Sequence, residues 1–217
     1  MKIDILTLFP EMFAPLEHSI IKRARNAGIV EINIINIRDY ATDKHQTTDE
    51  RLYGGGSGMV MKPEPLFAAV SACQQGDHPR IIITAPAGKT YNQTAAQELS
   101  QEGHLIIVCG HYEGIDQRFI DKCATDIFSL GDFVMTGGET AAIAITDSVV
   151  RLLPGALGDD MAAVEESFTT GLLEYPQYTR PPVWQGCEVP PVLQGGNHAQ
   201  IAKWRRRQSL KTTYHNR

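Results

Sequence analysis

The sequence predicts an α/β domain with a parallel sheet, followed from about Gly171 by a smaller, mostly helical unit. Three observations predict it. Five short β-branched runs, "KIDILTLF", "VEINIINI", "RIIITAP", "HLIIVCG" and "TDIFSL", are each short enough for a strand and apolar enough for a buried one. Helix-like segments separate them, and such alternation marks a parallel sheet. Past Gly155 the alternation stops, and proline- and glycine-rich stretches replace it.

The elements follow in order. After the first run, Leu16 to Ala27 reads as a helix that stops at Gly28. Pro63 and Pro65 open the next helix, which ends near Gln75 and Gly76. Asn92 to Gln101 precede Gly103, and Asp116 to Cys123 form a short helix. Glu139 to Leu153 form a long one, stopped by "PG". The polar stretch "GALGDDMAAVEESFTTG" then reads as a linker. This gives a first domain over 1–157, a flexible linker over 158–170 and a second domain over 171–217. "YPQYTRPPVW" and "VPPVLQGGNH" carry little strand signal, and the end is helical again.

The 217 residues are 42% hydrophobic and 21% charged, enough for a sizeable core. A net charge of −5 excludes a uniformly basic nucleic-acid binder. The last fifteen residues nevertheless carry six Lys/Arg and no acid, which suits either a nucleic-acid partner or a solvated helix. Four cysteines lack any C-x-x-C pair or accompanying histidines, and no run reaches transmembrane length. The reading is a cytoplasmic protein with free thiols, no membrane association and no structural metal.

Two glycine-bearing loops follow late strands: "GHYEGID" (Gly110 to Asp116) and "LGDFVMTGGE" (Leu130 to Glu139). Parallel sheets place ligands at the C-terminal ends of their strands, so these are either ligand loops or plain turns. A Rossmann site would put its glycines after the first strand, where "FPEMF" has none. "APAGKT" (Ala85 to Thr90) is no phosphate loop, because Ile83 stands where the first glycine must be. It still lies just after a strand. Gly54 to Gly58 supply four glycines in five positions, for close approach to a bulky ligand or for simple mobility. Trp204 beside Arg205, Arg206 and Arg207 fits an RNA-facing surface, or a helix packed on a small core.

Taken in order, "YGGGSGMVMKPEP", "GHYEGIDQR", "SLGDFVMTGGE", "ESFTTGLLEYPQYTRPPVW" and "NHAQIAKWRRR" closely resemble the bacterial tRNA (guanine-N1)-methyltransferases. The resemblance covers nearly the whole chain. It implies a SPOUT-class α/β domain with a deep trefoil knot, an exception to the usual rule against knots. It also implies S-adenosylmethionine as cofactor, a homodimer with active sites shared between chains, a C-terminal tRNA-binding domain, and an association with Mg2+. Typical members continue past Asn216 and Arg217, so a shortened C-terminal domain is expected.

By the same resemblance the cofactor falls to three segments. They are Ala85, Pro86 and Ala87; Gly110, Tyr112, Glu113 and Gly114; and Ser129 to Met135 (Ser129, Leu130, Gly131, Asp132, Phe133, Val134, Met135) with Gly137 and Gly138. Tyr53, Gly54, Gly55 and Gly56 are expected to enclose the target guanosine, and Lys203, Arg205 and Arg206 to meet tRNA phosphates. Guanine N1 must lose a proton as it attacks, so a base near N1 and a cation near O6 are required. The resemblance puts Arg151 in the second role and Glu166 in the first, with Glu165 the alternative. The familiar pattern is "DSF" where this chain has "ESF", one methylene longer. Rival readings are a knotted enzyme acting on another RNA base, a non-catalytic RNA-binding relative and, through "AGKT", a nucleotide-dependent kinase.

Overall fold

The computed structural model describes residues 1–74, 76, 78–158, 166–169 and 171–217. The chain divides into two compact units, Met1–Asp160 and Met161–Arg217.

In the first unit the strands β1 (Lys2–Thr7) and β2 (Glu31–Asn36) flank a 3₁₀ helix at Pro10–Glu17 and helix α1 (Ser19–Asn26). A hairpin follows, β3 (Asp49–Arg51) and β4 (Met59–Met61), then α2 (Pro63–Cys73), β5 (Arg80–Thr90) and α3 (Gln93–Leu99). The remainder is β6 (His104–Cys109), α4 (Gln117–Cys123), β7 (Asp126–Ser129) and α5 (Glu139–Val150). The five expected strands form one sheet in the order β2-β1-β6-β5-β7, and every pair in it is parallel. The helix starts are those the capping chemistry requires. Pro63 opens α2, and the side chains of Asn92 and Asp116 accept from Ala95 N and Arg118 N at the starts of α3 and α4.

Alternation along each strand sends side chains to two cores. Ile3, Ile5, Ile82, Leu105 and Ile107 pack with α1, α3 and α5 on one face. Leu6, Ile81, Ile83, Ile106 and Val108 pack with α2 and α4 on the other. All six residues of β6 are buried, as the central strand of a sheet covered on both sides must be. The hairpin β3–β4 was not anticipated. Its strands are three residues each, below the length at which an alternating pattern can be read.

The second unit holds a two-stranded antiparallel ribbon, β8 (Val183–Trp184) with β9 (Cys187–Glu188), then α6 (Pro191–Gln194) and α7 (His198–Asn216). The ribbon corrects the reading of this stretch as lacking strands, again for want of length. Asn197 caps α7 through Gln200 N. Within the stretch read as a linker, residues 166–169 form a turn. Phe168 N donates to Leu172 O and Glu174 N to Ser167 Oγ, while Leu173 N donates to Thr213 Oγ1 on α7.

Candidate functional site

A cavity of about 230 Å³ opens at the C-terminal ends of β5, β6 and β7. Its first wall comes from a wide bulge. Thr84 and Lys89 both register with Phe128 of β7, so Ala85 to Gly88 loop out of β5 between them. The second wall is Gly110 to Ile115, after β6. The third is Ser129 to Gly138, between β7 and α5.

These walls touch through their backbones. His111 and Gly137 form an antiparallel bridge, and Gly138 N donates to Gly110 O at 2.7 Å. A Cβ on Gly138 would lie 2.0 Å from Thr84 Oγ1 and 2.8 Å from Gly110 N. One on Gly88 would lie 2.6 Å from the carbonyl carbon of Ile127. Glycine at these two positions is therefore demanded by close approach, and plain turns would not demand it.

Thirteen of the sixteen residues expected at the cofactor line this cavity, Gly110, Glu113, Leu130 and Met135 among them. Ala87, Gly131 and Asp132 do not. Ala87 and Asp132 are exposed. Gly131 is taken up by a turn, in which it exchanges hydrogen bonds with Ser129 Oγ and the Phe133 ring lies over it. Sequence reasoning missed Ile83, Thr84, His111 and Phe128, together with Ile115, Ile120, Thr136 and Ala141. Most of these sit on strand ends or helices, where they read as core. Thr84 Oγ1 reaches the carbonyls of Val108 and Gly138 from inside the sheet. Beneath the floor, burial pushes the Cys109 thiol well above its ordinary range, with the Glu139 carboxylate adding to the shift.

The hairpin β3–β4 is joined to the second wall largely through main chain. Glu113 N donates to Met59 O, Met61 N to Gly114 O, and Asp116 N to Met61 O. Between its strands Tyr53 is 99% exposed, and Gly54, Gly55 and Gly56 all have positive φ. Gly58 comes closest to the cavity wall, since a Cβ there would meet Glu113 Cγ at 2.5 Å.

Arg151 is not among the residues that line this cavity. Arg151 is the C-cap of α5, its N–H bound to Asp147 O. In the second unit Glu166 is half-buried at the start of its turn, with its carbonyl accepting from Thr169 N. Glu165 lies outside the described residues. Lys203, Arg205 and Arg206 are exposed on α7, and the Arg205 guanidinium stacks 4.7 Å from the Tyr175 ring centroid. Among the described residues, no three His, Cys, Asp or Glu side chains come together to hold a metal ion, so the donor set does not fit a protein-built magnesium cage. Among the same residues no helix is long and apolar enough to cross a membrane.

The model of the family described as tRNA (Guanine-1)-methyltransferase TrmD matches residues 1–217. The chain belongs to this family. Among its relatives is the tRNA (guanine-N(1)-)-methyltransferase of Macrococcus caseolyticus, 52% identical over 217 residues, covering 100% of this chain and 90% of that one. Proteins of the same name from Dehalococcoides mccartyi and Geobacter sp. are 53% and 54% identical, covering 98% of this chain and 87% and 86% of theirs. The TrmD match and the cavity rest on different grounds. The first is sequence along the whole chain, and the second is three loops meeting at one sheet edge.

Proposed function

We propose that the chain methylates N1 of the guanosine on the 3′ side of the tRNA anticodon, with S-adenosylmethionine bound in the cavity at the ends of β5, β6 and β7. That it is a tRNA (guanine-N1)-methyltransferase follows from membership of the family at about half identity over its full length. The observation that carries the site is the backbone junction of Gly110 with Gly138, which closes two glycine loops around one cavity.

The residues present fit a nucleoside cofactor. Ile83, Ile115, Ile120 and Phe128 offer apolar walls for a purine, and the glycine loops expose peptide N–H and C=O groups to read its edge. When bound, S-adenosylmethionine supplies an electrophilic methyl group on a sulfonium. The three wall segments hold and orient it and keep water away. Glu166 takes the proton from guanine N1, and the Arg151 guanidinium stabilises the negative charge that develops on O6. Tyr53 and the glycines after it close over the extruded base, and Lys203, Arg205 and Arg206 engage phosphates.

The finer family traits belong to the same reading. The close crossing of Gly88 over Ile127, and of Gly138 over Thr84 and Cys109, supports a chain threaded through its own sheet as a trefoil knot. A homodimer with shared active sites and a cytoplasmic location accompany it, where the unmodified tRNA is met.

The test is methyl transfer from labelled S-adenosylmethionine to two unmodified tRNA transcripts, one with guanosine and one with adenosine 3′ of the anticodon. Label in the first alone is expected. Label in both would move the target base elsewhere and favour a knotted enzyme of another specificity.

A further inference from the structure

His111 and Glu139 face each other across the seam between the two glycine loops. Glu139 is the first residue of α5 and only 1% exposed. Its Oε1 accepts from Thr7 Oγ1 at 2.9 Å, which ties it to the end of β1. Its Oε2 is buried without a hydrogen-bond partner, and so is His111 Nδ1; the two atoms are 3.9 Å apart. Two buried polar atoms left this close are costly apart and would satisfy each other on approach.

The surroundings restrict how the gap can close. A Cβ on Gly137 would lie 2.3 Å from Glu139 Oε2 and 2.6 Å from His111 Nδ1, so the gap between them stays open only because residue 137 has no side chain. The His111 ring packs on Phe9 at 4.8 Å and Tyr112 at 5.0 Å, and the His111 main-chain N–H donates to Met61 Sδ at 3.3 Å. His111 also lines the cavity, next to Tyr112 and Glu113. A shift of about 1 Å in the loop after β6 would bring Nδ1 within hydrogen-bond reach of Oε2. That same shift would move Gly110 to Gly114, which line the cavity.

We propose that His111 and Glu139 are a pair of positioning residues: the hydrogen bond from Nδ1–H to Oε2 forms as the cavity fills, and locks the loop Gly110 to Gly114 against its ligand. The inference rests on the proposed S-adenosylmethionine site. Neither side chain transfers methyl or proton. Their effect is on affinity and on the geometry of the loop that carries Tyr112 and Glu113.

The experiment is titration of S-adenosylmethionine into the full chain and into His111→Phe, His111→Asn, Glu139→Gln and the double variant His111→Phe/Glu139→Gln. Phe keeps the ring stacking and removes the donor; Asn keeps a donor near the Nδ1 position. His111→Phe is expected to weaken binding about tenfold or more, with turnover at saturating cofactor falling less than affinity. Asn should recover much of the loss. The double variant should bind no worse than the weaker single variant, because the two groups act as one. Thermal unfolding of the five proteins serves as control, since a merely structural pair would show its coupling there and not in affinity. Should His111→Phe not fold, the Asn and Gln variants still decide. Unchanged affinity in His111→Phe, no rescue by Asn, or additive losses would overturn the pair. Absence of binding by the unaltered chain would instead overturn the site reading on which it depends.

Discussion

Gly138 lies so close to Gly110 that the space between them admits a hydrogen bond and nothing else. The φ of Gly138 is −82°, an angle any residue adopts, so its restriction is one of room alone. Gly138→Ala must push Thr84 Oγ1 and the Gly110 amide apart. It is expected to cost about 1–3 kcal/mol of stability and to weaken S-adenosylmethionine binding by more than tenfold. Gly110→Ala meets only the Thr84 carbonyl at 3.2 Å, so its loss should be smaller. Calorimetric titration and urea unfolding of both variants check the order.

Glu166→Gln removes the base and keeps the shape. Turnover is expected to fall by about 10²-fold or more, while cofactor affinity stays within about twofold. Single-turnover methyl transfer beside equilibrium binding separates the two quantities. Full activity in this variant would assign the base to another group, Glu165 first.

The cations of α7 act through phosphate charge. Lys203→Ala and Arg206→Ala should each weaken tRNA binding and reduce the slope of log affinity against log salt by about 1. Arg205→Ala should lose more, because its guanidinium also covers the Tyr175 ring. Filter binding across a salt series gives all three slopes.

Arg80 at the start of β5 holds Asp126 at the start of β7 through two hydrogen bonds, 2.8 and 3.0 Å long. Burial pushes the Asp126 carboxyl up, but the bonds from Arg80 and Thr125 outweigh it and the net position is below the usual range. A lowered folded-state pKa adds stability above the unfolded value of about 3.9, and that stability is lost as pH falls through the folded value. Asp126→Asn should therefore cost about 1–2 kcal/mol near neutrality and nothing once the carboxyl is protonated in both states. Urea unfolding from about pH 7 down to about pH 2 should show the two curves converge.

The thiols differ by burial. Cys187 is exposed and should be alkylated first. Burial, with Asp4 beside it, pushes the Cys73 thiol up to about 12, and Cys109 is fully enclosed. Both should resist iodoacetamide until the chain unfolds. Mass spectrometry of the native and denatured protein reads the sequence of labelling.

Much of the sheet was legible because its strands announce themselves. "HLIIVCG" has no other use than a buried strand, and Asn92 and Asp116 mark helix starts by side-chain chemistry that works in isolation. The glycines after β6 and β7 pointed to the sheet edge at which the cavity opens. What stayed hidden depends on partners distant in sequence. Glu139 looks like an ordinary acidic residue in a first helical turn, until Thr7 and His111 arrive from 132 and 28 positions away. Thr84 looks like strand core, until Gly138 is laid against it. The β3–β4 hairpin is held by main-chain bonds to residues 113–116, which no side-chain pattern records.

That last joint has an evolutionary consequence. Peptide groups are the one part of a protein that almost no missense change can delete. An inhibitor that gripped the cavity wall from Gly110 to Ile115 through main-chain groups alone would face a target with little to trade away. One that leaned on Phe133, Val134 or Met135 would meet side chains that a single codon change replaces.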